Sequence, residues 1–185
     1  MHRPTDRSTN HSTWWALVVA TLLAAVPVAG QSRLSAADSV FLIEAAQNGQ
    51  AELQVSRLAL DKTQSSDVKT FAQRMLDEHT AWAAELSALA AAKGVKLPEE
   101  ASAAQKGDIN QLATSDSFHF DQRYADAMGV HAHEETVALF RRAAREADDA
   151  DIRAFAAKIL PALEVHLQMA RGLKAITAAA RPPGS

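Results

Sequence analysis

The sequence predicts an all-α protein in which four long helices pack as an antiparallel bundle. Aromatic residues make up only 5% of the chain, and alanine is prominent among its apolar residues. Alanine is the best helix former, whereas strands favour aromatic and β-branched residues. Glycine and proline occur only seven and six times, and four segments carry apolar residues at helical spacing. The 185 residues suffice for one domain, which we place at residues 31–180.

An apolar segment near the amino terminus differs from the rest of the chain. Arg3 and Arg7 precede an uninterrupted apolar run over residues 14–29, and residues 28–30 supply the small side chains that signal peptidase needs. We expect residues 1–30 to be an export signal that is removed. The alternative is an uncleaved membrane anchor, although the run is shorter than the roughly 20 residues that a membrane-spanning helix needs.

The first hairpin consists of helices predicted over residues 35–62 and 66–93. A Ser-x-x-Asp capping pattern begins the first helix, Ser66 is expected to cap the second, and a glycine follows it. Glu52 lies on a face of the first helix that is otherwise apolar or small. His79 lies at the centre of the buried stripe on the second helix, which comprises Val68, Phe71, Ala72, Met75, Leu76, Trp82, Ala83, Leu86 and Ala90.

The second hairpin is predicted to contain a helix over residues 117–147 and another that begins at Asp151. His133 shares one face of the third helix with Val130, Val137, Phe140 and Ala144. His166 lies within the apolar stripe of the fourth helix, which comprises Ile152, Phe155, Ile159, Ala162, Leu163, Met169, Ala170 and Leu173. We expect the tail at residues 181–185 to be disordered.

An internal repeat relates the two hairpins. Residues 67–76 (DVKTFAQRML) match residues 151–160 (DIRAFAAKIL) in chemical type at nearly every position. The link over residues 95–116 is far longer than the 2–8 residues typical of a tight helix connection, and part of it could form a helical turn or two. A link of this length can run along the whole bundle. The expected topology is therefore up-down, crossover, down-up, as in ferritin-like folds.

One potential metal ligand lies on the inward face of each helix: Glu52, His79, His133 and His166. Glu52 and His79 are equally far along the chain from the first hairpin turn, about 20 Å at 1.5 Å per residue. His133 and His166 are both about 25 Å from the second turn. Antiparallel packing sets each pair at one height, and even in an up-down-up-down bundle the two planes would separate by only about 4.5 Å. We therefore expect the four groups to cluster.

The segments that carry these residues also resemble a known family. They are residues 45–52 (AAQNGQAE), 68–80 (VKTFAQRMLDEHT), 93–98 (KGVKLP), 133–140 (HEETVALF) and 160–167 (LPALEVHL). Together they resemble the bacterial domain-of-unknown-function family 4142, whose members are often labelled outer-membrane proteins. The resemblance covers essentially the whole chain after the leader. It implies an exported ferritin-like four-helix bundle in the periplasm or at the outer membrane, and it implies no activity.

The ligand set differs from that of iron-oxidising ferritin relatives, which carry Glu-x-x-His on two helices. In this chain Leu76 and Leu163 occupy the positions three residues before His79 and His166. A carboxylate-bridged di-iron centre is therefore not expected. One glutamate and three histidines can instead hold a single Zn, Cu or Fe ion.

The alternative to a metal site is a structural polar cluster. A buried Glu52–His79 pair can satisfy itself through a charge-assisted hydrogen bond, and His133 and His166 can share a proton or a water. Other polar residues near these positions are expected to be solvated or bystanders, and the flanking Met75 and Trp82 to be core. The residues expected to be solvated or bystanders are His2, His11, Asp77, Glu78, His119, His131 and Glu135.

The charge balance and the motifs limit the functions to consider. Removing the leader takes the 19 basic and 22 acidic residues to 17 and 21, a net charge near −4 with no basic block. Such a surface argues against nucleic acid and anionic membranes as partners. Cysteine is absent, and no Ser-His-Asp arrangement, phosphate loop or paired-carboxylate motif is present, so no enzyme activity is predicted. A metal-binding envelope protein and a non-enzymatic envelope or stress protein that binds a partner both remain.

Overall fold

The computed structural model describes residues 34–180, which belong to one compact unit. The predicted leader at residues 1–30 and tail at residues 181–185 lie outside the described residues. Every regular element within them is helical. The elements are α1 (Ala36–Lys62), α2 (Ser66–Ala92), α3 (Ala103–Ala113), α4 (Ser117–Arg123), a π-helical segment (Tyr124–His131), α5 (Ala132–Glu146) and α6 (Ala150–Ala179).

The helices of the first hairpin begin and end at the capping residues that their chemistry favours. The Ser35 hydroxyl accepts a hydrogen bond from the Asp38 amide at 3.0 Å, which caps α1. Ser65, one residue earlier than predicted, caps α2 by accepting from the Val68 amide. Gly94 follows α2 with a φ of +70°, the left-handed conformation that glycine adopts without steric cost.

A buried carboxylate ties the first hairpin to the turn of the second. Asp38 is only 2% exposed, and its two oxygens accept hydrogen bonds from the amides of Asp148 and Asp149 at 3.2 and 2.9 Å. Asp149 in turn caps α6 by accepting from the amides of Asp151 and Ile152. The second hairpin turn is therefore satisfied partly by α1.

Side-chain pairs between the hairpins establish the topology. Phe41, near the start of α1, packs against Phe140, near the end of α5, with ring centroids 5.2 Å apart. Glu85 on α2 binds Lys158 on α6 at 2.6 Å. Neighbouring helices are therefore antiparallel across the hairpins as well as within them, and the second hairpin is inverted. The predicted all-α bundle of two hairpins joined by a long crossover is confirmed.

The crossover contains α3, which packs against α1. Ser102 and Gln105 form a reciprocal capping box at its start. At its other end, the Lys62 ammonium donates to the carbonyls of Ala113 and Ser115, the latter at 3.1 Å. The crossover therefore covers one side of the bundle. The sequence predicted only a turn or two of helix in this link, whereas α3 spans Ala103–Ala113.

The π-helical segment changes which residues of the third helix face the core. Tyr124 and His133 are nine residues apart, about two and a half turns of α-helix, so regular geometry would place them on opposite faces. Hydrogen bonds of the i→i+5 type take up an extra residue. Both side chains therefore point inward, and each ring lies 6.1 Å from that of Phe71.

The apolar core consists of two clusters. One surrounds Phe41, Phe140 and Phe155 near the second hairpin turn, and the other surrounds Phe71 and Tyr124 near the first. Buried polar residues occupy the level between them. Of the helices that the structure describes, none combines the length and the hydropathy that crossing a membrane requires.

Candidate metal centre

Three histidines meet between the two apolar clusters, each from a different helix. His79 lies on α2, His133 at the start of α5 and His166 midway along α6. Their exposed fractions are only 7%, 2% and 0%. Each offers a ring nitrogen, and the three nitrogens lie within 4.8 Å of one another. These residues are called the histidine triad below.

The aromatic ring of Trp82 covers one side of the triad. It stacks against His166 with ring centroids 5.3 Å apart and an interplanar angle of 25°, and it lies 4.8 Å from the His79 ring. Phe71 packs edge-on against His133 from the other apolar cluster. The imidazole rings are therefore held between large apolar side chains, which limits their rotation.

Four buried nitrogens of the triad have no hydrogen-bond partner within the described residues. They are Nε2 of His79, both nitrogens of His133 and Nδ1 of His166. A buried polar atom without a partner costs about 1–3 kcal/mol, so protein interiors rarely contain several together. A metal ion that accepts one nitrogen lone pair from each histidine would give a partner to three of the four nitrogens.

The protonation of His79 and His166 suits metal binding. Burial lowers the pKa of His79 well below its usual value, and the neighbouring His133 and His166 lower it further. Burial and His133 lower the pKa of His166 to about 4, although Glu78 opposes this shift. Both imidazoles are therefore neutral at pH 7, which is the form that binds metal.

A carboxylate outside the core orients His166. The Glu78 carboxylate lies 2.9 Å from His166 Nε2 and also accepts a hydrogen bond from Arg74 at 2.7 Å. Burial raises the pKa of Glu78, but the hydrogen bonds and charges of Arg74 and His166 outweigh it and hold the pKa below its usual range. The ionised carboxylate makes Nε2 the donor, which leaves the Nδ1 lone pair of His166 free inside the bundle.

The spacing of the nitrogens is close to that of a metal site. A point equidistant from three atoms 4.8 Å apart lies about 2.8 Å from each, whereas zinc–nitrogen bonds are about 2.0–2.1 Å long. Each imidazole would have to move inward by less than about 1 Å, which small side-chain rotations supply. The three histidines therefore fit one transition metal ion.

Glu52 lies beside the triad rather than within it. It is 6% exposed, and its Oε1 accepts a hydrogen bond from the Ser56 hydroxyl at 3.1 Å, but it does not belong to the group of ligand atoms within 4.8 Å. Burial raises the pKa of Glu52, although its interaction with His133 and the Ser56 hydrogen bond partly offset this. The structure thus brings together three of the four predicted residues and places the fourth next to His133.

A buried tyrosine, Tyr124, interacts electrostatically with Glu52. Burial raises the pKa of Tyr124 well above its usual value, and the charge of Glu52 adds to this effect. The Tyr124 hydroxyl lies near Ser56, without a hydrogen bond of ordinary geometry. Regular helical spacing did not predict that Tyr124 is buried, because the π-helical segment is what turns its side chain inward.

Two cavities adjoin the triad. The front cavity, of about 450 Å³, lies between α1, α3 and the π-helical segment, and its walls include Glu52, His79 and His133. The rear cavity, of about 360 Å³, lies on the side of Trp82 and also reaches His79. The crossover helix α3 provides one wall of the front cavity, so it shields the triad from bulk water.

The structure corrects one expectation about the polar faces. Glu78 was expected to be solvated, yet it contacts His166, because a residue next to His79 on α2 lies level with His166 on the neighbouring helix. Counting residues from each hairpin turn would have predicted this contact from the sequence. His119 and His131 are exposed, as expected, and are paired with Asp116 at 2.7 Å and Glu135 at 3.5 Å.

Comparisons with solved structures support the fold. A crystal structure of a DUF305 fragment from Deinococcus radiodurans superimposes with a TM-score of 0.69 at 13% identity, covering 78% of this chain and 99% of that one. A conserved hypothetical protein from Mycobacterium tuberculosis superimposes with a TM-score of 0.59 at 20% identity, covering 80% and 96%. At these identities the likeness concerns the fold alone.

The family of the chain is established by a match to its sequence. No curated protein matches the chain. The family described as "Domain of unknown function (DUF4142)" matches residues 23–173, which include every residue of the triad. The chain therefore belongs to the DUF4142 family.

Proposed function

We propose that the protein binds one divalent transition metal ion, zinc or copper, through His79, His133 and His166. The observation that carries the proposal is the convergence of three buried imidazoles, each with at least one ring nitrogen that has no hydrogen-bond partner among the described residues. Neutral imidazole suits zinc, copper and iron, and copper and zinc bind nitrogen ligands more tightly than ferrous iron. With no cysteine in the chain, a thiolate site is excluded.

The contact between Glu78 and His166 supports a metal role over a purely structural one. Metal-bound histidines usually donate their second nitrogen to a carboxylate, which fixes the tautomer and makes the ligand more basic. Glu78 occupies this position at 2.9 Å from Nε2. Replacing Glu78 with alanine should weaken metal binding by about 10–100-fold, the usual effect of losing such a partner.

Metal titration of chelator-treated protein tests the proposal. Zinc and copper should each bind with a stoichiometry of one and raise the melting temperature, since a ligand at 100 times its Kd adds about 2.7 kcal/mol to stability. Alanine at His79, His133 or His166 should abolish both effects. His131→Ala is the matched control, because this exposed histidine lies only two residues from His133.

The alternative function predicts different results. If the triad is a structural polar cluster in a protein that binds a partner, the same alanine variants should lose about 1–3 kcal/mol without any dependence on metal or chelator. Unchanged metal binding in His133→Ala would likewise overturn the proposal.

We also propose that the protein acts in the cell envelope after export. The support is the sequence of residues 1–30, with its basic start, apolar run and small residues before Gln31. Amino-terminal sequencing of protein from the native envelope should begin at or near Gln31. A mature chain that begins at Met1 in the cytosol would contradict this proposal.

A further inference from the structure

The front cavity reaches two of the three histidines of the triad. His79 and His133 form part of its wall, whereas His166 does not. Trp82, which lines the rear cavity and not the front one, packs against the rings of His79 and His166. A metal ion bound to the triad would therefore lie next to the front cavity, with two of its three ligands in the cavity wall.

The described residues offer no fourth ligand from that direction. Three histidines occupy three of the four positions that zinc usually takes, and an open position is typical of reactive sites. Glu52, the buried acidic residue among those described at the cavity wall, lies outside the group of atoms within 4.8 Å and accepts a hydrogen bond from Ser56. A molecule from the cavity would have to complete the coordination.

The charged residues of the cavity wall determine which molecules can enter. Four carboxyl groups line it against a single guanidinium, that of Arg123; the carboxyl groups belong to Glu52, Asp108, Asp126 and Glu135. Lys174 pairs with Asp126 at 2.5 Å, which leaves the balance negative. Such a wall repels small anions and admits neutral or cationic molecules. The volume of about 450 Å³ is large enough for a small organic ligand.

We propose that the metal in the triad keeps a fourth position open to the front cavity, where a small neutral nitrogen donor replaces a bound water. The donor's lone pair forms the new bond as the water leaves, and no electron or proton transfer is required. This inference rests on the proposed metal binding and adds that the site is open to exchange rather than closed.

Imidazole added to the copper-loaded protein tests the inference. We expect a saturable shift of the visible copper band, and a fourth nitrogen in the electron paramagnetic resonance spectrum, with copper still on the protein after desalting. Azide, as the anionic probe, should bind more weakly. Retained copper without any spectral change would show that the site is closed, and copper stripped into the small-molecule fraction would show that imidazole replaces the protein ligands instead of adding to them. Either result would overturn the inference.

Two matched alanines distinguish the cavities. Ala51 lines only the front cavity and Ala83 only the rear one, and both are half-buried on long helices. Ala51→Leu should weaken imidazole binding about ten-fold or more by filling the space, whereas Ala83→Leu should leave it within about two-fold. Ala127→Leu, also at the front cavity but exposed, serves if Ala51→Leu does not fold.

The outcomes separate this inference from the proposed function. Equal weakening by the Ala51 and Ala83 variants would overturn the assignment to the front cavity while leaving metal binding intact. A wild-type protein that binds no copper would overturn the proposed function and this inference together.

Discussion

The two hairpins share a sequence repeat but not a geometry. In each, the second helix begins with the same ten-residue pattern, and the equivalent Phe71 and Phe155 are both buried. Their partner helices differ. Helix α1 runs regularly from Ala36 to Lys62, whereas the helix before α6 contains the π-helical segment Tyr124–His131.

The difference lies next to the candidate site. The π-helical segment ends two residues before His133 and delivers Tyr124 to the same side of the helix. Segments of this kind are rare and frequently occur at functional sites. The repeat therefore preserves the second helix of each hairpin, while the irregular first helix of the second hairpin shapes the site.

Single-residue deletions in the two hairpins should differ widely in their effect on stability, and the deletion in α2 should have the largest effect of all. Removing Ala127 from the π-helical segment restores ordinary helical spacing between its ends, so we expect a loss of less than about 2 kcal/mol. Removing the exposed Ala81 from α2 rotates His79 relative to Leu86 by about 100°, which should cost more than about 4 kcal/mol. Chemical denaturation measures both, and equal losses would show that the π-helical segment is not an insertion.

Truncating the two repeated phenylalanines compares the packing of the hairpins. Phe71→Ala and Phe155→Ala should each cost about 3–5 kcal/mol, because both remove a buried ring. Only Phe71 contacts His133, so its loss should also weaken zinc binding, whereas Phe155 packs against Phe140. Denaturation and zinc titration test this pair. Losses below about 1 kcal/mol for both would contradict the packing described above.

The pH dependence of the metal-free protein compares His79 in the first hairpin with His166 in the second. The folded pKa values of both histidines lie below the unfolded value near 6.5, so the unfolded chain binds more protons than the folded chain at acidic pH. The free energy of unfolding therefore decreases as the pH is lowered below about 6.5. For His166, whose folded pKa is about 4, the loss by pH 4 should be about 3 kcal/mol.

Urea denaturation between pH 7 and pH 4 measures this loss. Glu52, whose folded pKa is raised, contributes with the opposite sign, because its stabilisation is present at low pH and fades as the pH rises. A variant with glutamine at both His79 and His166 is the control and should show a flatter profile. An equally steep profile in that variant would assign the pH dependence to other groups.

Glycine substitutions should give the smallest effects. Gly49 lies inside α1, and a methyl group added there would meet no atom within 4 Å, so Gly49→Ala should stabilise the protein by about 0.5–1 kcal/mol. A Cβ at Gly129 would lie 3.2 Å from that of Ala170, so Gly129→Ala should gain less or destabilise. Thermal melts of both variants test this contrast, and a larger gain at Gly129 would contradict the close helix approach.

The fold could be predicted from the sequence because it depends on local signals. Alanine-rich segments with helical spacing, serine and aspartate caps and the repeat together specify four helices, and a link of 22 residues between hairpins, from 95 to 116, permits inversion. Cap positions such as Ser65 differed from prediction by one residue. The buried role of Asp38 was not predictable, because its partners lie more than 100 residues away in the second hairpin turn.

The site was only partly predictable. The equal heights of the paired residues predicted that His79, His133 and His166 lie close together. They could not show whether Glu52 joins the triad, because that depends on how far its side chain reaches. The inward turn of Tyr124 requires a change of helical period that composition does not signal. Glu78 was misjudged because its own helix face is polar, and the deciding contact comes from another helix.

The level of the triad between the two apolar clusters has a consequence for cooperativity. Each cluster lies near one hairpin turn, and the polar level separates them. Without an ion, the two ends of the bundle are joined across this level by helical backbone and by side-chain contacts such as those of Phe71 and Trp82 with the triad, so we expect their amides to exchange hydrogen with different opening free energies. An ion bridging α2, α5 and α6 at this level would couple the two ends into one unfolding unit.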